Sequence, residues 1–403
     1  MHTPPAKKIL MTTAVTTAIA AFASFASTAN AQSSVTLYGT LDTAVAWFSN
    51  VQAQNGSGRN TFMMSAGNLS ANRWGLKGTE DLGNGLNAVF DLESGFNLNN
   101  GQANQGGRMF GRQAFVGLSS ELNGTFTLGR QYDPLIDLLQ PLTDDDTFSM
   151  AFATPGDIDN YDNSYRTSNS IKFISPNYSG LQIGAMYGFG GQNGMGRGQT
   201  YAGAVVYNRG PLGLGAGYFR ATNGNTAPSF DGLTTNLSAG CGVNCDSAAI
   251  SGTFSTAASI QIVRAAASYA IGPVTLGASY SNVQYHNYLT GDASSGTNRT
   301  TFNTGQMYVN YRIMPSLLVG VGYDYTKGDG NNVSVAYNQF SVGAVYSLSR
   351  RTDLYALGGY QHTSGKTYVD GQVVAAPASM ADFGVDSDST KQGMAMLGIR
   401  HRF

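Results

Sequence analysis

The sequence predicts an all-β fold, a transmembrane antiparallel β-barrel of about sixteen strands, and three observations carry that prediction. Apolar and polar residues alternate with a period of two through segment after segment. The connections between those segments are alternately short and long. The composition also disfavours helices: of 403 residues 52 are glycine and 11% aromatic, and only 12% are charged, against about a quarter in ordinary globular chains. The 23 basic and 24 acidic residues balance, which leaves no electrostatic footprint for nucleic acid.

The N-terminus is a separate object. Lys7 and Lys8 precede a run of small and apolar residues from Ile9 to Ala26, and Ala29-Asn30-Ala31 supplies a small-x-small cleavage pattern. Residues 1–31 therefore read as a signal peptide removed before Gln32, and 32–403 as a single exported domain. No later segment approaches the ~18 to 20 continuous apolar residues of a membrane helix, so membrane residence requires a barrel.

Within the body, Met307, Val309, Tyr311 and Ile313 alternate with Tyr308, Asn310 and Arg312. Leu317, Val319, Val321, Tyr323 and Tyr325 form the next row, opposite Gly320, Gly322, Asp324 and Thr326. The pattern recurs at Phe340–Leu348, Leu181–Phe189 and Leu212–Tyr218. Strands are expected to begin near Val35, Ser70, Leu86, Met109, Thr125, Thr167, Leu181, Gln199, Leu212, Ala257, Val274, Thr301, Leu317, Asn338, Asp353 and Lys391. Glu80–Gly85, Glu121–Gly124, Pro176–Gly180, Asn208–Leu212, Ile271–Pro273, Met314–Ser316 and Ser349–Thr352 read as tight turns. Leu98–Gly107, Thr222–Thr256 and Gly365–Thr390 read as long polar loops. Short turns on one side, long loops on the other and aromatic residues near strand ends are the signature of outer-membrane barrels. About sixteen strands leave a water-filled lumen, so a pore is expected.

Several stretches resemble the general porins of Gram-negative outer membranes. Ser34-Val35-Thr36-Leu37-Tyr38-Gly39, followed by Asp42, resembles the family's first strand. The most specific match is Asn72-Arg73-Trp74-Gly75-Leu76-Lys77-Gly78-Thr79-Glu80-Asp81-Leu82-Gly83-Asn84-Gly85-Leu86. Phe110–Leu118 and Leu128–Tyr132 are similar to later strands. The terminal Phe403 resembles the residue that the barrel-assembly machinery reads in this family. The resemblance implies a homotrimer among outer-membrane lipids and lipopolysaccharide, in which each barrel passes small hydrophilic solutes and ions by passive diffusion. It also implies that the third external loop folds into the lumen, with its carboxylates facing basic residues on the wall.

Tyr132–Asn163 is the segment in that place. It carries Asp133, Asp137, Asp144, Asp145, Asp146, Asp157, Asp159 and Asp162 with no basic residue. Its Leu135, Ile136, Leu138, Leu139, Leu142, Phe148, Met150 and Phe152 need an apolar surface, which favours packing on the wall. The expected constriction acids are Asp133, Asp137, Asp144, Asp145 and Asp146. Parity points Arg73 and Lys77 inward opposite Trp74 and Leu76, and likewise Asp91, Glu93, Lys172 and Arg166. Arg112 joins this set by resemblance only. Arg130 shares parity with Phe126 and Leu128 and stays outside it. Thr40 stands where some relatives carry a lumen lysine, one positive charge fewer.

Cys241 and Cys245 lie in the long loop after Tyr218. Export favours a small disulfide ring there, with two free thiols as the alternative. Neither the histidines nor Asp157-x-Asp159 with Asp162, which lacks the glycine and glutamate of a calcium loop, suggests a metal or cofactor. Two other functions remain open. A barrel enzyme of lipase or protease type would need Ser–His or Asp–His pairs at one height, and none is evident; an adhesin or receptor would use the external loops. Gln113 interrupts the outward row of the fourth expected strand, as a protein-facing wall would.

Overall fold

The computed structural model describes residues 34–403 apart from 53–58, 191–197, 223–253, 255–256, 288–297, 332, 370–371, 381–382, 384 and 386. Residues 1–31, expected to be a signal peptide, and both cysteines lie outside the described residues. In chain order the strands are β1 Ser34–Val51, β2 Arg59–Ala66, β3 Arg73–Asp81, β4 Leu86–Gly95, β5 Gln113–Ser120 and β6 Gly124–Gln131. They continue as β7 Thr167–Ile174, β8 Leu181–Gly188, β9 Thr200–Arg209, β10 Leu212–Thr222, β11 Ser259–Ile271 and β12 Val274–His286. The last are β13 Arg299–Met314, β14 Leu317–Gly330, β15 Val333–Ser347, β16 Thr352–Val369, β17 Gln372–Ala375 and β18 Lys391–Arg402.

Each strand pairs antiparallel with its neighbours, and the sheet closes where β1 meets β18, from Thr40↔Arg402 to Phe48↔Met394. Reciprocal backbone hydrogen bonds of 3.1 Å between Gly39 and Phe403 finish the seam. Closure pairs the first wall strand with the last, as a sheet in lipid requires. β2 and β3 both pair with β1 and form one interrupted wall strand, while β17 only extends the β16 hairpin. The wall therefore has sixteen strands.

The interruption is the main departure from the expected start of that second strand near Ser70. Asp42 of β1 accepts from the backbone N–H groups of Asn68, Leu69 and Ser70 at 3.1, 2.9 and 3.1 Å. Tyr355 adds its hydroxyl to Asp42 at 2.6 Å. A carboxylate that gathers three successive amides replaces the ladder with a tight inward fold at 67–72, and β3 then starts at Arg73.

Alternation sorts the two faces. Val35, Leu37, Val116, Ile183, Leu214, Tyr280, Met307, Tyr323, Phe340 and Leu397 are exposed on the outside. The inward positions between them divide in two. Across β8–β15 small and apolar residues are interspersed with polar ones such as Arg264, Ser281, Asn310 and Gln339. The segment between β6 and β7 packs on the apolar ones in a cluster that includes Leu135, Leu139, Leu142, Tyr161, Ala204, Phe219, Ile262 and Tyr337. Glycines form the seats. A Cβ on Gly213, Gly215 or Gly217 would meet Leu142, Leu139 or Leu135 at 2.5, 3.1 and 2.6 Å. Gly322 of β14 lies under Phe152 in the same way, at 2.6 Å, and Gly320 of β14 and Gly343 of β15 make room for Phe148. A second cluster, with Phe48, Phe148, Phe152 and Met394, lies toward β1, β16 and β18, and the wall from β3 to β7 carries most of the charged lumen residues.

Candidate functional site

The segment that follows β6 crosses the lumen. Its first helix, α1 (Pro134–Leu139), has Pro134 in its first turn and Asp133 as N-cap, whose carboxylate accepts from Leu135 N at 2.8 Å. Proline loses nothing at that position and aspartate satisfies a free amide, so the local sequence dictates the helix start. A short second helix, α2 (Asp145–Phe148), follows.

Side chains of the far wall then hold the loop by its backbone. Tyr308 donates to Leu142 O at 3.0 Å, Gln306 to Phe152 O at 3.0 Å, Gln339 to Ala153 O at 3.0 Å and Ser341 to Ala151 O at 2.7 Å. Asn310 donates to the Asp144 carboxylate at 2.7 Å, and Ser281 to Asp159 at 2.6 Å. The buried Arg264 donates to the Asp159 carbonyl and sits 4.3 Å from the Tyr161 ring centroid. Glycine seats and polar clamps together fix the loop against β10–β15.

On its free side the loop lines a cavity of about 600 Å³ with Arg73, Glu93, Arg112, Tyr132, Asp145, Asp146 and Arg166. Glu93 lies 3.3 Å from Arg73 and 2.6 Å from Arg112. The Tyr132 hydroxyl accepts from Arg112 at 2.5 Å and from Arg166 at 3.0 Å. The Arg166 guanidinium also donates to the Ser164 carbonyl and the Asn163 side-chain oxygen, neither charged. Three guanidiniums thus surround one carboxylate and one phenol.

Four of the expected site residues sit one level nearer the short turns. Lys77, Asp91, Asp137 and Lys172 line a second cavity, also about 600 Å³, beside Ser34 and Thr36. Lys172 pairs with Asp137 at 2.6 Å, and Asp91 accepts from the Tyr38 hydroxyl at 2.7 Å. The basic wall is therefore two tiers rather than one ladder.

The loop carboxylates lie outside the spanning strands and are perturbed chiefly by burial. Asp144 is pushed up to about 7, with its bond from Asn310 opposing the shift. Asp157 is pushed up to about 6 by burial and by Asp159. Burial, with the nearby Asp162, Asp159, Asp157 and Asp144, pushes Asp145 well above the usual carboxylate range. Asp145 lines the upper cavity.

Three placements differ from the sequence reading, the first being Asp144, whose carboxylate is buried against the far wall at Asn310 and lines neither cavity. Asp133 is buried as the α1 cap and lines neither cavity, because the helix start claims its oxygens first. Gln113 faces the lumen opposite Glu93 and lines both cavities, so it marks no protein-facing wall. Arg130 lies in neither lining; it donates to Gly111 O and Ser168 Oγ, both at 2.7 Å.

Sequence reasoning overlooked the roles of three residues: Tyr132 between the arginines, Asp42 gathering the amides that lead into Arg73, and Arg400. Outward Leu397 and Ile399 turn Arg400 inward, where it meets Asp353 at 2.9 Å. Its parity was readable. Among the described residues no group of three or more His, Cys, Asp or Glu is placed to hold a metal ion.

A family model described as Gram-negative porin matches residues 15–366. The chain belongs to that family. An outer membrane porin protein of Bordetella pertussis is 33% identical to this porin, covering 96% of the chain and 98% of the relative. Among solved structures, an anion-selective porin from Comamonas acidovorans superposes with a TM-score of 0.67 at 24% identity, over 92% of this chain and all of that one. The trimer form of the outer membrane protein OmpT of Vibrio cholerae gives 0.60 at 17% identity, over 92% and 99%. The porin is an outer-membrane channel for passive diffusion of small hydrophilic solutes.

Proposed function

We propose that the upper cavity is the constriction of this channel and that it favours anions. Arg73, Arg112 and Arg166 form its basic wall, with Lys77 and Lys172 below them. Glu93, Asp145 and Asp146 face it, while Asp91 and Asp137 hold the lower tier. The observation that carries the reading is Arg166, a buried guanidinium on the lumen whose hydrogen-bond partners among the described residues are all uncharged. Glu93 is shared between Arg73 and Arg112 while burial pushes Asp145 toward its neutral form, so the guanidinium charge is least offset at Arg166. Low-dielectric walls focus that field along the lumen, and patches of one sign bias which ions pass. The structural likeness to an anion-selective porin accords with this reading.

The porin acts without catalysis and assembles as a homotrimer, as the trimeric form of one structural relative suggests. Phe403, at the barrel seam, serves as the signal to the assembly machinery, and lipopolysaccharide and lipid surround the wall. The test is the Arg73→Ala channel in a planar bilayer, which should conduct more and shift toward cations. Unchanged conductance together with an unchanged reversal potential would contradict the assignment. Closure of wild-type channels in thirds at high voltage supports the trimer, and single-step closure opposes it.

A further inference from the structure

The upper cavity is not charged all round. The same lining that carries the arginines includes Met63 of β2, Phe96 after β4, Ile136 and Met150 of the loop, and Phe383 and Val385 before β18. The basic groups come from β3 and from the chain at the ends of β4–β7. Much of the apolar group comes from β2, from the segment before β18 and from the middle of the crossing loop. Met63 and Met150 are only partly buried and pack against the cluster of Phe48, Phe148, Phe152, Met380 and Met394. A throat that merely passed hydrated ions has no use for such a surface, since ordered water gains nothing from it.

Two features say what fits. The Tyr132 oxygen already sits between two guanidiniums, which marks a place where oxygen is gripped from both sides. Arg166 also keeps its Nε buried with no hydrogen-bond partner among the described residues, and is itself 2% exposed. Unsatisfied buried donors call for an acceptor, and arginine matches a planar carboxylate best. Methionine side chains adapt to flat rings and make favourable sulfur–aromatic contacts. The volume of about 600 Å³ lies within the range of about 300–1,000 Å³ usual for small-molecule sites.

We propose that the constriction is a binding subsite for aryl carboxylates. The carboxylate is held at Arg166 and Arg112 beside Tyr132, and the ring lies on Met63, Met150 and Phe383. The inference rests on the anion-favouring reading above and adds a substrate class to it. A solute with both features dwells in the throat, whereas a hydroxy acid of equal charge passes through with only electrostatic delay.

The experiment is single-channel recording of the folded full-length mature porin in a planar bilayer, with benzoate, phenylacetate and lactate added in turn to a chloride background. Benzoate and phenylacetate should interrupt the current with dwell times about tenfold longer than lactate, the scale of part-burying one ring. Met63→Ser and Met150→Gln, each checked for folding by heat-dependent gel mobility, should separately reduce that ratio and leave the chloride reversal potential in place. Equal dwell times for all three anions would overturn the proposal while the anion-selective reading stands. So would an aryl preference that survives in both variants. A cation-selective reversal potential in chloride would overturn both.

Discussion

The Arg166 guanidinium donates to the Tyr132 hydroxyl at 3.0 Å and lies 4.9 Å from the centroid of the same ring, while Arg112 reaches that hydroxyl from its other side at 2.5 Å. One neutral residue holds two cations close together on the lumen. Ring contact and hydrogen bonding make the arrangement tolerable, and neither cancels the charge.

Replacing Arg166 should therefore reduce anion preference more than it disturbs the barrel. Arg166→Ala is expected to shift the anion-to-cation permeability ratio toward cations by roughly twofold to fivefold. Reversal potentials under a salt gradient read this directly. A ratio equal to wild type would mean that Arg166 does not face the permeating ions.

The glycine seats on β10 make a second prediction. Gly217→Val places new atoms where a Cβ would lie only 2.6 Å from Leu135, and overpacking costs roughly 1–3 kcal/mol. The ladder hydrogen bonds of β9–β11 do not depend on that side chain, so the barrel persists and the loop gives way. Single-channel conductance should rise and become noisier, with heat-dependent gel mobility retained. A quiet channel of wild-type conductance would show that the seats do not position the loop.

Asp144 supplies a pH dependence. Its folded value near 7 stands above the ordinary 3.8, so between those values the folded state binds more protons than the unfolded chain. Its contribution to stability is therefore greatest at the acidic end of that window and declines as pH rises through 7. Thermal unfolding of the porin should occur at a higher temperature at pH 5 than at pH 8, and Asp144→Asn should reduce the difference. An unchanged pH dependence in the variant would contradict the assignment.

Much of this was legible because strand parity is a local property. Arg73, Glu93 and Lys172 can be turned inward from the alternation of their apolar neighbours alone, and the same rule finds Arg400. What escapes it depends on contacts distant in sequence. Asp42 interrupts a wall strand by collecting amides 26 to 28 residues away. Gly213, Gly215 and Gly217 read as the quiet face of a strand, and only Leu142, Leu139 and Leu135 reveal them as seats. Gln113 looks misplaced when β5 is started near Met109, and its inward parity follows from the pairing with Glu93.

Asp42 makes the fourth prediction. Asp42→Ala leaves three backbone amides without their acceptor, and each buried unpaired donor costs about 1–3 kcal/mol. The 67–72 fold should loosen and release Arg73, which is anchored there through Ser70 Oγ and Ala71 O at 3.1 Å each. Lower thermal stability and a smaller anion preference should appear together. Loss of stability with the wild-type permeability ratio would separate Arg73 from this support.

The central claim is that uncompensated arginine charge governs the throat. Its most direct test is the zero-current potential of wild-type channels in a planar bilayer across a tenfold potassium chloride gradient at pH 7. The account predicts the sign of chloride permeating faster than potassium. A potential of the opposite sign, from channels of normal conductance, would contradict it.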